Sequence, residues 1–204
     1  ELARTGAVVM VLTGAPASTA SVRRAVVDTG AAQVAVLPGS PDARVAALAA
    51  AAPGAGHARP SRGGRPAIQI HVLDAVDDAR VVAGLAAAVA SRSARQIAVG
   101  AGVPVGAGES AGIPAELAEL AAIRAAVDAV RTADVDVFDF VSARAAADEL
   151  LAAGGELLTV LTGAGADDAV VRSLRDYLSV AFPEVEVIVL AGGQLTPAVL
   201  LAVE

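Results

Sequence analysis

"ELLTVLTGAGADDAVVRSLRDYLSVAFPEVEVIVLAGGQLTPAVLLAVE", residues 156–204, changes its hydrophobic period three times. The run "ELLTVLTG" is short, aliphatic and closed by a glycine, which reads as a strand over 156–162. Asp167 and Asp168 then open a helix over 167–181, and "EVEVIVLA" returns to strand over 184–191. Strand, helix and strand in such close succession argue for a parallel pair joined by a crossover helix. The remaining piece, "GGQLTPAVLLAVE", is almost wholly aliphatic where a disordered tail would be polar and charged, so it belongs to the fold. Its glycines supply turn geometry that side chains would obstruct, and 198–203 reads as a last strand sent back across the sheet.

The same alternation extends upstream. "AVVMVLT" (7–13) reads as a strand covered on both faces. A helix follows, capped by Ser18 or Thr19 and ended by Gly30, with Val22 and Val26 at helical spacing. Then come a strand at 33–37, a Pro-Gly-Ser-Pro turn, a helix to about Ala52, a strand at 67–73 and a helix to about Ala90. The stretch 95–114 carries five glycines and two prolines and reads as a strand followed by a long loop or hairpin. Leu117, Leu120, Ile123, Val127 and Val130 trace one face of a helix from Pro114 to about Thr132. "DVDVFDFV" (134–141) alternates Asp with apolar residues, the pattern of an edge or antiparallel strand, and a helix to about Ala153 follows. The fold class is therefore α/β: alternating strands and helices, mostly parallel sheet with helices on its faces. The length allows two small α/β subdomains, 1–92 and 93–204, the second with an antiparallel closing strand.

Composition bounds the function. The chain has 204 residues, is 55% hydrophobic and contains three Phe, one Tyr and no Trp, so its core is built from small aliphatics and its helices must sit close to their sheets. No apolar run reaches the length of a membrane span, because Gly, Pro, Arg or Asp interrupts each sooner. The chain opens on Glu1 rather than methionine, which reads as a fragment or a processed chain. Absence of cysteine removes disulfides, thiol nucleophiles and thiolate zinc sites, and fits the cytoplasm. A net charge of −7 repels polyphosphate backbones, so nucleic acid is not an expected partner. The arginines of "HARPSRGGRP" (57–66) lie among Gly, Pro and Ser and read as a surface loop.

Two turns lead from strands into helix N-termini, where N–H groups favour an anion. In "LTGAGADD" the helix supplies its own carboxylates, Asp167 and Asp168. In "LTGAPAST" there is none, so Thr13, Gly14, Ser18 and Thr19 form a candidate phosphate or carboxylate site. Neither turn matches GxxxxGK[ST] or GxGxxG, and no lysine exists to reach a phosphate. His57 and His71 make a poor metal pair, Asp74, Asp77 and Asp78 fall where a helix start expects acids, and no serine stands in a nucleophile elbow. No metal site and no complete catalytic set is expected.

The ending resembles the C-terminal end of bacterial fatty acid kinase A proteins, also called dihydroxyacetone-kinase-like proteins. Those chains end in a strand, an aspartate-bearing turn, a helix, an "hP-x-V-x-V" strand, "GGQP" and an apolar segment closing on "VE". Upstream, "GAPASTASVRRAVVDTGAAQVAVLPGSPDARVAALAAA" looks like the family's "GGQ…NPST" loop and helix followed by its "VVLPN" strand. The sequence departs from the pattern at Ala15-Pro16-Ala17-Ser18-Thr19, where the Asn of "NPST" is replaced. It departs again at Asp74 to Arg80, where "PQG" is absent, and at Gly192-Gly193-Gln194-Leu195, where the Pro and a following aromatic are lost. The resemblance implies a division of labour: an N-terminal helical domain, outside this chain, binds ATP and magnesium, while a DegV-type fatty-acid-binding protein carries the acyl chain whose carboxylate is phosphorylated. The part seen here is then an inactive docking module holding no cofactor of its own, with Gly192, Gly193 and Gln194 as partner-binding residues and a homodimer as a further expectation. A small phosphate- or carboxylate-binding domain and a purely structural dimerisation domain stand as alternatives.

Overall fold

The computed structural model describes residues 7–10, 16–52, 68–100, 115–137 and 139–204. Six helices and six strands lie among them: α1 (Thr19–Asp28), β1 (Gln33–Val36), α2 (Pro41–Ala51), β2 (Gln69–Val72), α3 (Asp78–Gly100), α4 (Ala115–Ala129), β3 (Arg131–Val135), α5 (Phe140–Leu151), β4 (Leu157–Thr162), α6 (Asp168–Ala181), β5 (Glu186–Ala191) and β6 (Val199–Val203). The chain separates into two units between Asp128 and Ala129, at the end of α4. The division expected at 92/93 falls inside α3.

In the first unit β1 and β2 pair in parallel from Gln33↔Gln69 to Val36↔Val72. Side chains alternate across a strand, so Val34, Val36, Ile70 and Val72 can pack together against Val22 and Val26 of α1 and Ala46, Ala47 and Ala50 of α2. Ser18 caps α1 and Ser40 caps α2, each accepting a backbone N–H three residues on. A second apolar cluster joins Leu73, Ala88 and Ile123, with Leu37 and Leu120 against it.

The second unit holds a four-stranded mixed sheet in the order β3-β6-β4-β5. β4 and β5 are parallel, whereas β6 is antiparallel to both β3 and β4. The expected closing strand is thus an interior strand of the sheet, and all five of its residues are buried. Val199, Leu201 and Val203 point into the main core with Leu158 and Val160 of β4, Ala143 and Ala147 of α5, and Leu174 and Leu178 of α6. The two fully buried alanines of α5 leave no bulk between helix and sheet, as the small-aliphatic composition requires.

Several boundaries differ from the sequence reading. Residues 7–10 form no strand, and Val8, Val9 and Met10 are exposed; residues 11–13 of that reading lie outside the described residues. A run of β-formers becomes a strand only where a neighbouring ladder accepts it. α3 continues to Gly100 instead of ending near Ala90, so no strand begins at 95. No Gly or Pro stands between Gly84 and Gly100 to stop it, and a short apolar run alone cannot separate strand from helix. The rest of the expected loop, 101–114, and the arginine stretch 57–66 lie outside the described residues. Finally, the strand expected at 134–141 begins at Arg131 and ends at Val135. Asp139 accounts for the change. Its carboxylate accepts the Ser142 backbone N–H at 2.8 Å and the Ser142 hydroxyl at 3.1 Å, capping α5 and turning the alternating run into a helix start.

Candidate functional site

Parallel β4 and β5 end at the same edge of the sheet, and antiparallel β6 starts there. The turn after β4, the turn after β5 and the entry to β6 therefore meet, although up to thirty-five residues apart in sequence (163 to 198). The carboxyl edge of strands is where open α/β sheets place their crevices. This meeting brings together "TGAGADD" and "GGQLTPA", only the second of which carried expected site residues.

Their junction is braced mainly by backbone. Thr162 O accepts N–H bonds from Gly192 at 2.9 Å and Gly193 at 3.2 Å, Gln194 O accepts the Ala164 N–H at 2.9 Å, and Ala198 O accepts the Gly163 N–H at 2.8 Å. Gly163 makes this possible: a Cβ there would stand 2.7 Å from Gln194 O and 2.9 Å from Ala198 O, inside backbone atoms that cannot move aside cheaply. Gly193 occupies φ +73°, a left-handed conformation that side chains disfavour. The Gln194 side chain folds back over Gly192 and donates from Nε2 to Leu161 O at 3.1 Å. Its Oε1 is buried and has no hydrogen-bond partner. Beside the brace opens a hollow of about 220 Å³ lined by Gly163–Ala166, Gln194, Leu195 and Ala198. No charged side chain lines it.

At α6, Asp167 accepts the Ala169 N–H at 2.7 Å and Asp168 stands in the first turn, so this helix end carries its own carboxylates. An anion is disfavoured there.

The other expected site lies elsewhere. Thr13 and Gly14 are outside the described residues. Ser18 and Thr19 begin α1, and the Ser18 hydroxyl is committed to a capping box: it accepts the Ser21 N–H at 3.1 Å while Ser21 Oγ accepts the Ser18 N–H at 3.0 Å. The acids after β2 are likewise occupied by structure. Asp74 pairs with Arg44 at 2.8 Å, and Asp77 accepts the Arg80 N–H at 2.8 Å and pairs with its guanidinium at 2.7 Å. His71 Nε2 is buried without a hydrogen-bond partner. Among the described residues no three His, Cys, Asp or Glu side chains are grouped as a metal site would need, and no helix is long and apolar enough to cross a membrane.

Sequence reasoning missed two components of the braced turn: Gly163 to Ala166, whose partner lies thirty residues downstream, and Leu195, whose side chain is 92% exposed. Contact across that separation has no local signal. The departure from the family pattern at Leu195 was the only pointer.

What the second unit defines is a mixed-sheet module whose polar backbone and one exposed leucine gather at a braced turn, without an assembled set of reacting groups among the described residues. Its sequence, residues 128–204, matches the family of FakA-like C-terminal regions, the C-terminal part of fatty acid kinase A-like proteins. The match takes in β3 to β6 and every residue of the braced turn, and begins at the last residue of the first unit. No curated protein matches the chain.

Proposed function

We propose that this chain is a non-catalytic module of a fatty-acid-kinase-like protein, and that its second unit docks a DegV-type fatty-acid-binding carrier in the cytoplasm. The carrier would present a fatty acid whose carboxylate is phosphorylated with ATP and magnesium held by a domain outside this chain. One observation carries the reading: the family match over 128–204 coincides with a complete sheet unit. The commitment of Ser18 to its capping box favours docking over anion binding at the first turn.

Isothermal calorimetry of the chain against each purified DegV-type protein of the same organism tests this. Saturable binding to at least one is expected, and binding to none sinks the reading. A thermal-shift screen of phosphates and acyl phosphates covers the small-ligand alternative, which predicts a stabilisation lost in Ser18→Ala.

A further inference from the structure

The two outer strands of the second unit's sheet, β3 and β5, are not finished alike. Glu186 N–H donates to Glu156 O and Gly192 N–H to Thr162 O, so the even-numbered residues of β5 turn their backbone groups toward β4. Successive residues of a strand turn N–H and C=O to opposite sides. Val187, Val189 and Ala191 therefore face outward, and among the described residues their N–H and C=O groups have no hydrogen-bond partner. The other edge is different. Arg131, Ala133 and Val135 turn toward β6, and the outward residues of β3, Thr132 and Asp134, are both engaged in interactions of their own.

β5 also lacks the devices that keep a free edge from pairing. Its ladder with β4 runs without a bulge from Leu157↔Glu186 to Thr162↔Ala191. It contains no Pro, Lys or Arg, and its one charged residue, Glu186, stands at its first position. We infer that β5 pairs antiparallel with β5 of a second copy, about a two-fold axis at Val189. That register uses all three outward residues: Val189 faces Val189 of the other copy and Val187 faces Ala191, each pairing exchanging both N–H···O bonds. Val187 and Val189 pack against the main core, so Ile188 and Leu190 lie on the opposite face, where Leu190 is 49% exposed. The same register sets Ile188 of each copy opposite Leu190 of the other, apolar against apolar. Glu186 falls opposite Gly192, whereas two copies paired in parallel and in register would set Glu186 against Glu186. The contact is isologous and closes at a dimer, joining the two four-stranded sheets into one. The homodimer, expected without a location, thereby gains an interface and a register on grounds independent of carrier docking.

Hydrogen exchange of the full chain over a dilution series, followed beside light scattering and without any carrier, tests this. A dimer that dissociates on dilution is expected. In the dimer the amides of Val187, Val189 and Ala191 should be protected and in the monomer exchange freely, while those of Ile188 and Leu190, bonded to β4, stay protected in both. Ala191→Pro removes an outward N–H at an exposed position of an edge strand, where proline is tolerated. Symmetry deletes that bond twice per dimer, so the dissociation constant should rise roughly tenfold or more. Leu190→Lys leaves the backbone intact and should weaken the dimer as well. Val141→Glu, a control at a 75% exposed position of α5, which packs on β3 and β6, should dimerise as the unaltered chain does. A chain that is monomeric throughout, a dimer whose three outward amides exchange freely, or a dimer unaffected by either β5 variant would overturn the inference and leave the docking reading untouched. Protection of those amides only on adding a DegV-type protein would give the edge to the carrier and equally overturn the second copy as its occupant.

Discussion

Two residues show how much local chemistry a single position can decide. Gly163 is the only residue type that fits where β4 leaves the sheet, since a Cβ there meets the carbonyls of Gln194 and Ala198 at 2.7 and 2.9 Å. Gly163→Ala should therefore push the two turns apart and cost about 1–3 kcal/mol, the range for overpacking a tight site. Urea unfolding would read the loss, and faster hydrogen exchange at the Ala164 N–H would place it at the brace; unchanged exchange there would contradict the account. Asp139 acts through charge. The Ser142 backbone N–H, and then the Ser142 hydroxyl, hold its carboxyl below the ordinary aspartate value of 3.8. A depressed folded value means that the stabilisation is fully present above 3.8 and is lost as pH falls through the folded value. Asn also caps helices but does not titrate. Compared with Asp139→Asn, the unaltered chain should thus be the more stable near neutrality, and the two should converge in acid below 3.8. A stability gap that stays constant across that acid range would exclude the carboxylate as its source.

The same Asp139 explains why elements were only partly legible. Its alternation with apolar residues over 134–141 has a strand period, yet its side chain closes a hydrogen bond with the Ser142 N–H and starts α5. A local cap overrode the longer pattern. Where caps and periodicity agree, as at Ser18 and Asp167, the helices begin where the sequence places them. β6 was legible as a buried strand because it is aliphatic at every position, as an interior strand must be. Its place between β3 and β4 was not, because strand order is set by long-range pairing. That interior place has measurable weight. Leu201 is fully buried among β4, α5 and α6 residues, so Leu201→Ala should cost about 2–5 kcal/mol. The α5–α6 contact is looser: the Tyr177 hydroxyl donates to Asp148 at 2.7 Å while its ring packs edge-on against Phe140 and Phe182. Tyr177→Phe keeps the ring and loses the hydrogen bond, so about 0.5–1.5 kcal/mol is expected. Chemical denaturation of both variants gives the ranking, and a larger loss for Tyr177→Phe would reverse the view of where the unit's stability resides.

At the scale of the molecule, the division after Asp128 separates two kinds of construction. The first unit has a two-stranded parallel ladder among its described residues, with α1 and α2 packed on the face that carries Val34, Val36, Ile70 and Val72, a small sheet that depends on its helical cover. The second unit carries within 129–204 all four strands of its sheet, both helices packed against it and every member of the main core cluster. Among the described residues, nothing in that core cluster comes from outside the range. Residues 129–204 expressed alone should accordingly melt in one cooperative transition and protect the amides of β4 and β6 from exchange as the whole chain does. Ending the chain at Ala198 should abolish that behaviour, because removal of β6 leaves β3 with no partner and parts it from β4. The face of β6 opposite the main core makes the comparison discriminating, since Leu200 and Ala202 on that side are also buried. If the excised unit shows no cooperative melt, it is not the independent module that its own core describes.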